Sequence, residues 1–161
     1  MSISFTSYLL AIAITLHLLS AVIWVGGMFF AHIALRPVAT LLLEPPLRLP
    51  LMSQVLARFF PWVWLAVLLL WVTGLWLIFG VYGGMAKTAM YIHIMLTIGI
   101  VMSVLFMYIF FVPFVALKKA LSQKEFKLAG KNLAIIRQMI LINLWLGMIT
   151  IIVAVVGRYI L

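Results

Sequence analysis

Residues 5–35 read FTSYLLAIAITLHLLSAVIWVGGMFFAHIAL, a run without Asp, Glu, Lys or Arg that carries His17 near its middle and His32 near its end. About 20 helical residues at ~1.5 Å each cross the ~30 Å hydrocarbon core of a bilayer. The run is longer than that, so it spans with tilt or projects beyond the membrane. A polar ring at depth in lipid is costly unless it meets a partner, a cavity or a cofactor, so His17 is expected to face into a helix bundle. An interhelical hydrogen bond to a Ser or Thr would satisfy it as well as a bound ligand would.

Working outward, the 161 residues are 68% hydrophobic and only 8% charged, with a mean hydropathy of +1.36. A soluble domain has roughly a quarter of its residues charged, so this is the composition of an integral membrane protein. The first run lacks a basic leader region and a small-residue cleavage site, and reads as a retained span rather than a signal peptide. A net charge of +9 would suggest nucleic acid in a soluble protein. Here the 11 Lys and Arg sit at the ends of apolar runs or in one loop, which topology and anionic headgroups explain, and nucleic-acid binding is excluded. Cysteine is absent, so disulfides and thiolate metal sites are excluded as well.

The first span is expected to end at Arg36-Pro37. Residues 38–60 break at Pro45-Pro46 and Pro50, and 51–60 is expected as a short amphipathic helix at the interface. The second span, 61–79, opens on Pro61, is flanked by Trp62, Trp64 and Trp76, and leads into the turn Gly80-Val81-Tyr82-Gly83-Gly84. A third run extends from Lys87 to Leu117, with Pro113 as a kink or exit point. Lys118 to Arg137 carries six basic residues against Glu125, a local net +5, and is expected as a solvated helical hairpin. The fourth span covers 138–159, with Asn143 needing a partner inside it. The fold class is therefore all-α: a single domain, 1–161, forming a four-helix antiparallel transmembrane bundle. Both larger basic segments lie on one side of it. The positive-inside rule puts them in the cytoplasm of a bacterial inner membrane and both termini in the periplasm. Gly74 and Gly147 offer close helix contacts, within the bundle or across a homodimer.

Helices one and three each place an imidazole, His17 and His93, in the same half of the bilayer, at similar depth if the boundary falls near Tyr8 or Leu9. Two such imidazoles are the axial ligand set of a b-type haem iron. Trp24, Met28, Trp71 and Met90 are candidate walls, and Lys87 and Arg158 candidate propionate contacts. A membrane redox role with a quinone or another membrane partner follows as the expectation. Copper is the competing reading, since Cu(I) accepts imidazole and thioether donors from His17, Met28, Met90, His93 and Met95. A non-redox structural or transport bundle is the third. His32 lies fifteen residues beyond His17, too far along one helix to share its site; it is expected among headgroups, with a hydrogen bond near Arg36 or Asn132 and a second site as the alternatives.

The segment HLLSAVIWVGGMFFAHIALRP, residues 17–37, resembles the first helix of the CopD-like copper-resistance membrane family and of the related HemJ-type protoporphyrinogen oxidases, at His17, Trp24, Gly27 and Arg36-Pro37. AMYIHIMLTIG resembles the third helix of the HemJ type, at His93, and residues 137–159 resemble the last CopD-like helix, at Arg137, Asn143, Gly147 and Arg158. The resemblance implies a small helical membrane protein that handles copper or supports porphyrinogen oxidation with haem, His17 and His93 being the ligands carried over. Met95 stands where the HemJ type has a lysine, and an acid near the start of the last helix is missing. Efficient porphyrinogen oxidation is therefore not expected.

Overall fold

The structure, a computed structural model, describes residues 5–160. Helix α1 (Phe5–Phe30) passes through a π-helical turn, Ala31–Leu35, straight into α2 (Arg36–Leu42). Helix α3 (Pro45–Trp76) is prolonged by a second π turn, Leu77–Val81, and a short 3-10 turn, Met85–Lys87, leads into α4 (Met90–Phe111). Then come α5 (Pro113–Ser122) and α6 (Phe126–Ile160). These elements make four rods of 33 to 37 residues, each apolar enough to cross a membrane. The chain is a polytopic membrane protein with a four-helix transmembrane bundle.

Rods of this length measure about 50–55 Å, so roughly 20 Å of each lies outside a ~30 Å hydrocarbon core. Tyr8, Tyr82 and Tyr159 are all exposed at the end that carries both termini, as an interfacial aromatic belt requires. The excess length is therefore at the opposite end, which also carries nine of the eleven basic residues and is called the basic end below.

Three prolines that read as breaks do not break the chain. Before Pro37 the helix widens: the Arg36 N–H donates to the Ala31 carbonyl, five residues back, which makes room for the ring. Pro50 and Pro61 lie inside α3, so residues 51–60 are not a separate interfacial helix but the first half of the second rod. The carbonyls these rings leave unpaired, at Pro46 and Ala57, belong to exposed residues near the basic end, where water and headgroups reach them. Pro45-Pro46 and Pro113 act as expected: the chain leaves the helix at Leu43 and Glu44, and α3 opens on Pro45. Val112 departs from helical geometry at φ −109°, ψ −81°, and α5 restarts with the proline in its first turn. A Schellman motif closes α5: the Glu125 N–H donates to the Ala120 carbonyl, and Lys124 takes the left-handed conformation at φ 58°.

Side-chain contacts fix the register. His17 meets Thr73 and Gly27 faces Phe59, so α1 and α3 run antiparallel. Trp71 meets Ser103 and Phe60 packs on Phe114, which sets α3 against α4 and α5. Gly147 faces Met102 and Val25, and Gly157 faces Tyr91, so α6 lies against α4 and α1. Gly74 and Gly147 thus spend their missing Cβ atoms on contacts inside the bundle, not on a dimer face. On the basic side of the His17–Thr73 and Trp71–Ser103 contacts, Trp24, Phe60, Trp64, Phe106, Phe110 and Phe114 form a chain of mostly edge-to-face rings. Each such pair adds ~0.5–1.5 kcal/mol beyond burial, so these rings tie α1, α3, α4 and α5 together in an aromatic floor.

Candidate functional site

Above that floor, ring N–H groups follow one pattern. Trp71 Nε1 donates to Ser103 Oγ at 3.1 Å, and that hydroxyl donates back to the Gly99 carbonyl at 2.8 Å. His17 Nδ1 lies 2.8 Å from Thr73 Oγ1, whose hydroxyl donates to the Leu69 carbonyl. A threonine has one hydroxyl proton. With that proton committed to Leu69, Oγ1 accepts from His17, so Nδ1 carries the imidazole proton and Nε2 keeps its lone pair. The arrangement fixes the tautomer and aim of the ring, as a hydrogen bond to the non-ligating nitrogen does for metal-binding histidines. Gly74 makes the room, since a Cβ there would stand 3.4 Å from His17 Cε1.

His93 is held the same way with the opposite outcome. Thr88 donates to the Met85 carbonyl at 2.8 Å, so Thr88 Oγ1, 3.0 Å from His93 Nε2, accepts that proton and leaves the lone pair on Nδ1. The two imidazoles are not brought together. Trp24 contacts Phe106, and counting seven residues back along the parallel α1 and α4 sets His17 level with Gly99, ~9 Å farther from the terminal end than His93. The register through Thr73, Trp71 and Ser103 widens that gap. The expected similar depth does not hold, because α4 begins only at Met90, after the Tyr82–Ala89 connection, which keeps His93 near the terminal end. A bis-imidazole haem needs both Nε2 atoms converging on one iron, and this pair does not fit it.

Nor do the expected wall residues enclose His17. Trp24 is one of the floor's own rings, and Met28 is buried in the core eleven residues, ~16 Å, along α1 from His17. Met90 is 65% exposed on the lipid-facing surface. Met95 follows His93 by two residues and so projects from the opposite side of α4. Lys87 and Arg158, the candidate propionate contacts, are exposed at the terminal end. Among the described residues no three of His, Cys, Asp and Glu come together. Asn143 is buried on α6 with Nδ2 donating to the Met102 carbonyl at 3.4 Å, while among the described residues its Oδ1 has no partner.

Below the floor lies a cavity around His32, whose arginine lining the sequence alone does not reveal. His32, Arg36, Arg48, Met52, Gly130 and Arg137 line this cavity of about 180 Å³ between α1–α2, α3 and α6. His32 and Met52 are the two donor types copper accepts, but three guanidiniums surround them. At ~8 Å and an effective dielectric of ~20, each opposes a unit cation by about 2 kcal/mol. A metal cation is disfavoured there.

Residues 53–157, well over half of the chain, match the family described as Copper resistance protein D. The chain belongs to that family. The match runs from the middle of α3 through most of α6 and takes in Trp71, Thr73, His93, Arg137 and Asn143, while His17, His32 and Arg36 precede it. No curated protein and no solved structure matches the chain. The match supports the copper branch of the resemblance and does not extend to the porphyrinogen oxidases.

Proposed function

We propose that this CopD-family chain handles copper within the membrane, with His17 Nε2 as the imidazole donor to the ion. The observation that carries the reading is the His17–Thr73–Leu69 chain, which leaves a fixed, unprotonated ring nitrogen inside the bundle of a copper-resistance family member. Copper(I) is soft and accepts imidazole readily. Three arginines at the basic end oppose a cation arriving from that side, which favours approach from the terminal side.

The test is copper retention by the purified full chain against a Cu(I) chelator of graded concentration. Thr73→Val keeps the shape of the threonine but frees the His17 ring, and partners of this kind are worth about 10–100-fold in metal affinity. Copper affinity should fall by that factor while helix content stays unchanged. Wild-type protein that retains no copper, or a variant that retains it equally, would sink the reading. The rival, electron transfer through a b-type haem with a quinone partner, keeps His17 as its candidate ligand and makes a separate claim: a Soret band from haem-supplied cells that is lost on His17→Ala. A colourless wild type answers it in the negative.

The distribution of charge supports a bacterial inner-membrane orientation with the basic end cytoplasmic and the termini periplasmic. Alkaline phosphatase fused after Leu161 should be active, and green fluorescent protein fused there should be dark. The reverse pair of results would invert the orientation and, with it, the side from which copper arrives.

A further inference from the structure

The cavity at the basic end has a charge balance that its own residues do not resolve. Arg36 projects from α2, Arg48 from α3 and Arg137 from α6, and all three line it together with His32. Arg137 is close enough to feel the charges of both Arg36 and Arg48. The only two acids of the chain, Glu44 and Glu125, are not in the lining. Three like charges held on three different helices repel one another, and folding keeps them together without a carboxylate between them. Arg48 reaches a backbone acceptor, the Thr40 carbonyl at 3.5 Å, which leaves the repulsion among the three charges unrelieved.

Local geometry shows how the cluster is assembled. The π turn Ala31–Leu35 inserts one extra residue just before Arg36 and so re-aims α2 relative to α1. His32 and Arg36, four apart, then reach the same cavity. Gly130 on α6 leaves the wall open, since a Cβ there would meet nothing within 4 Å. The rest of the lining includes apolar side chains such as Leu56 and Ile140. Counted from the tyrosines at the terminal end, one ~20-residue bilayer crossing reaches the level of Phe30, Phe60 and Arg137. The cavity opens at that boundary, where lipid phosphates lie.

We propose that this cavity is a phosphate-binding site, with Arg36, Arg48 and Arg137 converging on one phosphate group. Guanidinium forks match phosphate oxygens in pairs, and two or three of them discriminate phosphate from a simple halide. The apolar lining and the depth fit the phosphate of an anionic lipid headgroup, whose glycerol and first methylenes would lie along Leu56 and Ile140. A free phosphate offers the same oxygens without the tail.

The experiment uses the purified full chain in an uncharged maltoside detergent. Thermal stability is followed during titration with phosphatidylglycerol, phosphatidylcholine, inorganic phosphate or chloride. Phosphatidylglycerol should stabilise the wild type over phosphatidylcholine at equal mole fraction, and each of R36Q, R48Q and R137Q should weaken the apparent affinity about 10-fold or more. G130L fills the cavity without removing a charge and should abolish the response. The double variant K118Q/K119Q removes two charges at the same end but outside the lining, and should respond as wild type does. If inorganic phosphate reproduces and competes with the effect, the ligand is a free phosphate. If only the amphiphile acts, it is a headgroup. Equal responses to phosphatidylglycerol and phosphatidylcholine with no response to phosphate would overturn the proposal. So would a K118Q/K119Q loss as large as that of the arginine variants, which would reduce the effect to diffuse surface charge.

Discussion

Gly157→Leu should destabilise the bundle by about 1–3 kcal/mol, the range for forcing extra methylenes into a packed interior. Gly157 is buried on α6 where that helix crosses α4, and an added Cβ would run into Tyr91 Cβ, with Tyr91 Cγ 2.8 Å away. A Cβ is one bond from the main chain and has no rotamer by which to leave. The two helices must therefore separate, loosening the terminal end where Tyr91 also meets Tyr82. Thermal unfolding of the detergent-solubilised variant should show a lowered midpoint. Gly99→Ala is the matched control, because a Cβ there meets nothing within 4 Å and the helix gains ~0.5–1 kcal/mol from the more restricted residue. A Gly157→Leu midpoint equal to that of wild type would mean that the α4–α6 contact is looser than the register requires.

Gly27 shows why the position of the obstacle decides the sign. Its added Cβ would meet the far edge of the Phe59 ring, which can swing aside, so a small residue at Gly27 costs less than one at Gly157. The close approach is similar, but the obstacle at Gly157 sits beside the backbone and the one at Gly27 at the end of a movable side chain. That difference cannot be read from a sequence in which both are simply glycine among apolar residues.

The spans themselves were legible. Four charge-poor runs and the two-sided distribution of basic residues are sufficient for a four-helix bundle, because lipid leaves the backbone almost no alternative to a helix; Trp62 and Trp64 mark no rod end, since both lie in mid-α3. Proline was the misleading signal. Its interior cost of ~3 kcal/mol argues for a break at Pro37, Pro50 and Pro61, yet packing along 37-residue rods outweighs it, helped by the π turn before Pro37. That misreading hid the arginine cavity. Had residues 38–60 been a loop, Arg36 and Arg48 would have no fixed relation; as parts of α2 and α3 they are held against one wall of α6. The histidine pair failed for another reason. Depth along a helix follows from counting, but which nitrogen of His17 or His93 is free depends on Thr73 and Thr88, and those partners are set by tertiary register.

His17→Ala carries the largest effect expected on function. Partners that merely orient a ligand are worth about 10–100-fold in affinity, so deleting the donor itself should cost more than about 100-fold in retained Cu(I). Alanine also strips Thr73 Oγ1 of the proton it accepts and leaves a gap beside Gly74, so a loss of copper could come from a disturbed α1–α3 contact instead. His17→Gln separates the two causes. Its amide N–H can still donate to Thr73, which preserves the interhelical hydrogen bond, but it offers no imidazole nitrogen to the ion. With His17 as a ligand, the glutamine variant unfolds at the temperature of the wild type and loses copper as completely as the alanine variant. With His17 as a structural hydrogen-bond donor alone, the glutamine variant keeps both stability and copper. The second result would move the metal away from α1 and into the matched segment, where His93 Nδ1 is the other imidazole lone pair left free by its threonine.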